Sequence, residues 1–141
     1  MKKKKGNFTT LLLILVLLAG LSLLLYPSVS DYWNSFHQTR AIATYAEEVA
    51  NLNQDQYDEI WAAAESYNAS LTDWVNAYLL SDAQKEEYQQ LLNVSGLGVM
   101  GYIEIPSIDC SLPIYHGTEE SVLQIAVGHL EWSSLPVGGK S

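Results

Sequence analysis

The chain has 141 residues, room for about one domain, and its 16 Asp and Glu outnumber its 7 Lys and Arg. Beyond residue 26 the only bases are Arg40, Lys85 and Lys140, so nucleic-acid binding, which needs clustered Lys or Arg, is excluded. A single cysteine, Cys110, excludes an internal disulfide frame.

In chain order, the first feature is Phe8–Leu25, "FTTLLLILVLLAGLSLLL", about 18 residues without a charge. As a helix it is long enough to cross the hydrocarbon core of a bilayer. Lys2 to Lys5 precede it and the next base is Arg40, so the positive-inside bias places the N-terminus in the cytoplasm and residues 27–141 outside. A cleaved signal peptide is the competing reading, and Pro27 together with the length of the apolar run weighs against it.

Residues 29–52 read as a helix, with Ile42, Tyr45, Val49 and Leu52 on one face. "NLNQD" interrupts it, and Tyr57, Ile60, Trp61, Ala64, Tyr67, Leu71, Trp74, Val75 and Tyr78 then form a second stripe. The two stripes are expected to face each other in an antiparallel hairpin. Ser81 and Gln84 have capping-box spacing and open a third helix, closed by "NVSGLG". After Gly98 the period becomes that of a strand: Ile103 and Ile105 share one face, and Pro106 ends the run. "SLPIYHG" is a second strand, Thr118 is expected to cap the short helix "EESVLQIA", and "VGHLEWSSLPVGG" reads as a loop.

The final "LPVGGKS" invites two motif readings. A phosphate-binding loop needs glycine where Ser134 stands and a helix to follow, and a cell-wall sorting signal needs Thr at Gly138. Both are chance similarity.

Residues 98–139, "GVMGYIEIPSIDCSLPIYHGTEESVLQIAVGHLEWSSLPVGG", resemble the start of the catalytic domain of class C sortases, the pilin-polymerising cysteine transpeptidases of Gram-positive bacteria. The likeness covers the G-Y-I-E-I-P strand, the L-P-I-Y-H-G strand, the V-L-Q helix and the G-H-L-E…S-L-P-V-G-G run. An upstream apolar segment and "YPSVSDYWN", Tyr26 to Asn34, agree with it. Trp132 departs from it, standing where the family more often has a small residue. The resemblance implies a closed barrel of about eight strands with attached helices. It also implies a thiolate that attacks an L-P-x-T-G sorting signal, a histidine acid or base, an arginine that steadies the carbonyl oxygen, and a pilin lysine that resolves the thioester.

None of these three catalytic residues maps onto the chain; the resemblance places them beyond Ser141. A dyad of Cys110 with His116 or His129 is not expected, because a nucleophile needs a positioned base, and all three are read as structural. Asp73-Trp74 is the nearest approach to the family's Asp-Pro-aromatic lid; it lacks the proline and continues a helical stripe. The scattered histidines give no metal-ligand set, and no cofactor is expected.

The expected fold is α+β: an N-terminal transmembrane helix, an extracellular helical hairpin, then the first strands of an incomplete sortase-type β-barrel. The corresponding segments are 1–26, 27–97 and 98–141. The expected function is the N-terminal fragment of a membrane-anchored class C sortase, inactive by itself. Its partners would be pilin or surface proteins with LPXTG-type signals, and membrane lipid through residues 8–25. The alternative is a non-catalytic, membrane-anchored extracellular interaction module.

Overall fold

The computed structural model describes residues 4–71 and 80–138, with the backbone alone for 4–7. The lid candidates Asp73 and Trp74, with Val75 and Tyr78 of the second stripe, lie outside the described residues. The chain divides into two compact units, Met1–Phe36 and His37–Ser141.

Helix α1, Lys4–Asn51, begins in the first unit and carries Pro27 inside it. Its apolar run from Phe8 is exposed throughout and is long and apolar enough to cross a membrane.

The second unit holds the rest. Helix α2, Gln54–Ser70, starts at a capping box in which Asn53 accepts from the Gln56 amide and the Gln56 side chain accepts from the Asn53 amide. Helix α3, Asp82–Gln90, starts the same way on Ser81 and Gln84, as the spacing predicts. Strands β1, Val99–Ile105, and β2, Cys110–His116, are antiparallel, with Ile103 opposite Leu112 and Ile105 opposite Cys110. A single 3-10 turn at Pro106–Ile108 joins them, closed by Asp109 in the left-handed region.

Two expectations need correcting. Val127–His129 is not loop but a short strand, β3, parallel to β2, so the sheet is mixed with order β1-β2-β3. A run this short carries no period that a sequence can display. Its pairing depends on Gly128: a side chain there would meet the Gly117 carbonyl at 2.5 Å and Leu123 at 3.0 Å. Second, helix α4, Glu120–Leu123, is capped by Glu119 without a side-chain hydrogen bond, not by Thr118.

The described part of the α2 stripe packs on α3, β1 and the 135–137 segment. Among the described residues the core consists of Ala64 and Tyr67 from α2, Tyr88, Leu91 and Leu92 at α3, Met100 of β1, and Leu135 and Val137. Ile60, Trp61, Leu71 and Ile114 pack against it. Polar pairing explains the choice of neighbour. Asn68 accepts from the Leu135 amide at 2.7 Å and donates to the Leu135 carbonyl at 3.1 Å, and the Tyr67 hydroxyl donates to the Glu131 carbonyl. These bonds satisfy loop backbone that would otherwise be buried without partners. From α1, Tyr45 donates to the Met100 carbonyl at 2.8 Å and Gln38 to that of Ile125.

Candidate functional site

Chemistry-bearing side chains converge where α3 meets the ends of β2 and β3. Tyr88 projects from α3 and is fully buried. Its hydroxyl accepts from the Gly117 amide at 3.1 Å and donates to the His129 carbonyl at 2.9 Å, with His129 Nδ1 also 3.1 Å away. The ring lies edge-on to His116, centroids 5.0 Å apart, and stacks on His129 at 5.8 Å. Tyr67 tilts against it as well, with centroids 6.1 Å apart. Burial, above all, pushes the Tyr88 phenol up to about 12; the Gly117 hydrogen bond acts against this, and Tyr67, Glu131 and Glu119 add to it.

The parallel register puts His116 and His129 side by side. His129 Nε2 faces the Ser134 carbonyl at 3.0 Å, which assigns the proton to Nε2 and leaves Nδ1 toward the Tyr88 hydroxyl. Burial, above all, holds the His129 imidazole below the usual histidine range; the Ser134 bond acts against this and His116 adds to it. His116 is buried with Nδ1 3.0 Å from the Gly98 carbonyl and Nε2 2.7 Å from the Leu91 carbonyl. Both imidazoles are thus engaged by the backbone, and the cluster ties α3 to the ends of all three strands.

Cys110 lies at the opposite end of β2 from His116, about 20 Å away along an extended strand. Since His129 pairs with His116, the structure brings Cys110 together with neither histidine. Beside the cluster an open cleft of about 250 Å³ is lined by Gly117, Thr118, Glu119, Glu131 and Trp132. Glu131 also reaches Lys85 at 4.0 Å. No group of three or more His, Cys, Asp or Glu among the described residues has the geometry to hold a metal ion.

Sequence reasoning missed Tyr88, the centre of this cluster, and Asn68, its counterpart on α2. The signal for Tyr88 is faint but present: one large aromatic in the otherwise polar helix "DAQKEEYQQ". Asn68 had none, because an Asn on a helix reads as surface until its loop partner is known.

Comparison with known proteins decides what this arrangement belongs to. No family model and no curated protein matches the chain. Solved structures do. Sortase C1 of Streptococcus agalactiae is 39% identical, with a TM-score of 0.64 over 71% of this chain and 52% of that one. Over the region it shares with such structures, the chain belongs to the class C sortases. Sortase C of Clostridium perfringens, solved in complex with a C-terminal cell wall sorting signal motif, is 35% identical with a TM-score of 0.53, over 72% of this chain and 47% of that one. Sortase A of Corynebacterium diphtheriae is 32% identical with a TM-score of 0.54, over 74% and 53%. The chain therefore spans about half the length of the sortases it matches. In this chain the Tyr88 cluster fastens α3 to the sheet.

Proposed function

We propose that these 141 residues are the membrane anchor, helical region and first strands of a class C sortase. The whole enzyme cleaves LPXTG-type sorting signals and joins pilin subunits through a cysteine acyl-enzyme. The observation that carries this reading is the 39% identity to a sortase C1 over most of the chain. The substrate class is supported by the sorting-signal complex of the Clostridium perfringens sortase C. Localisation follows from the lysines before Phe8–Leu25: that segment spans the membrane, with the N-terminus cytoplasmic.

Within this reading, Cys110, His116 and His129 are structural, and the 141 residues do not catalyse transpeptidation by themselves. The strand-length separation of Cys110 from both histidines supports this, since general-base activation works at hydrogen-bond distance. Incubating the whole chain in detergent with an L-P-x-T-G peptide and a primary amine should give no product above buffer. Turnover that disappears in Cys110→Ala would overturn the assignment. For the anchor, protease added to cells stripped of their wall should remove the part after Tyr26 and spare the N-terminus; release of the chain into the medium would count against it.

A further inference from the structure

The segment immediately after the apolar run has a different character from the run itself. Phe8–Leu25 is apolar on all sides, whereas Tyr26–Phe36 is sorted by face. At about 100° per residue, Tyr26, Val29, Tyr32, Trp33 and Phe36 fall within an arc of about 120°. Ser28, Ser30, Asp31, Asn34 and Ser35 occupy the other side with Pro27. The apolar members are all exposed, Tyr32 at 74% and Trp33 at 64%. The segment holds no Lys or Arg, and its one charge, Asp31, is on the polar face.

We propose that the Tyr26–Phe36 face is a lipid-docking surface that lies in the outer headgroup layer of the bilayer crossed by Phe8–Leu25. The inference rests on the anchoring reading above. Three observations point to lipid as the occupant. The face is continuous with the apolar run, so it starts at the edge of the hydrocarbon. Its Tyr26, Tyr32 and Trp33 are of the kind that settles at headgroup depth, with apolar rings and polar tips, and Val29 and Phe36 add apolar area beside them.

The position of Pro27 is the third. Proline removes one helical hydrogen bond and crowds the preceding turn, so a helix bends away from the proline side. Pro27 lies about 160–200° from the centre of the aromatic arc. A bend there turns the aromatic face down toward the membrane. A straight, upright helix would instead lift Trp33 about 12 Å past Leu25, beyond a headgroup layer about 5–8 Å thick. Without basic residues, the docking is driven by ring burial and is insensitive to salt and to anionic lipid.

The test uses the full chain reconstituted in phosphatidylcholine vesicles. A version with Trp61, Trp74 and Trp132 replaced by Phe leaves Trp33 as the reporter. Its emission should be blue-shifted, and quenched more by lipids brominated near the glycerol end of the acyl chain than by lipids brominated near the methyl end. Because Trp61 packs in the second unit, a parallel version keeps every other tryptophan. It carries Cys110→Ser with a nitroxide at Trp33→Cys or at Asp31→Cys. The label at 33 should be shielded from a water-soluble relaxing agent and the label at 31 exposed to it.

Vesicles that float with the chain while Trp33 is unquenched and the two labels are equally exposed would overturn the docking and leave the anchor standing. A chain that does not float with vesicles would overturn both. Spin–spin broadening at position 33 that survives dilution into excess lipid would also overturn the proposal, because a second copy would then cover the face.

Discussion

Tyr88 shows how much one side chain can hold together. Its hydroxyl serves the Gly117 amide and the His129 carbonyl, while its ring packs against both His116 and Tyr67. Tyr88→Phe keeps the packing and leaves a buried amide without its acceptor, which costs about 1–3 kcal/mol and should appear as a lower urea midpoint with an unchanged slope. The pH dependence has a definite sign. Unfolded tyrosine titrates near 10 and burial pushes Tyr88 up to about 12, so the folded state binds the proton more tightly. That contribution is complete below pH 10 and is lost as the pH rises toward 12. The phenylalanine variant should lack this part of the alkaline decline.

His129 gives the opposite slope. Its folded value lies below the ordinary 6.5, so the unfolded chain takes up the proton first. Stability from this group is complete above about pH 6.5 and falls as the solution is acidified. Urea midpoints between pH 7 and pH 5 should drop more steeply for the native chain than for His129→Gln. Equal slopes would contradict the assignment of His129 as a neutral imidazole.

At the level of elements, Asn68 is the amide side chain that helps to dock α2. Asn68 pairs with both backbone groups of Leu135, a residue that is itself buried. Asn68→Ala should destabilise the second unit by about 1–3 kcal/mol, mainly by orphaning the Leu135 amide. Hydrogen exchange at Leu135 should accelerate more than at Met100, which keeps its packing. Strand β3 offers a complementary case. Gly128→Ala places a methyl against the Gly117 carbonyl, so β3 should separate from β2, with faster exchange at Val127 to His129 and little change in β1.

Over the whole molecule, the core joins α2, α3, β1 and the 135–137 segment into one cluster. Residues 37–141 should therefore unfold in one transition, with α2 and β1 protected to the same free energy in native-state exchange. Protection of α2 and α3 persisting after β1 has opened would mean that the helices form a separate folding unit. Ile103, Ile105 and Tyr102 remain half-exposed on β1, and the edge of β1 away from β2 has no strand paired to it among the described residues. An edge of that kind favours self-association, so the transition should be followed at low protein concentration.

What the sequence determined by itself was most of what depends on neighbours along the chain. Period, capping residues and turn formers placed α2, α3, β1 and β2, because each reports contacts a few residues apart. The lysines and the apolar run marked the candidate membrane span, and the unbroken 98–139 likeness marked the class C sortase relationship. What only the tertiary structure decided depends on residues that meet across long separations. The described part of the α2 stripe packs on α3, β1 and Leu135, where Asn68 and Tyr67 find backbone partners more than sixty residues away. Residues 127–129 become a strand because β2 offers a free edge and Gly128 lets the backbones close. His116, His129 and Tyr88 form one cluster through parallel register and helix docking, which no local pattern encodes.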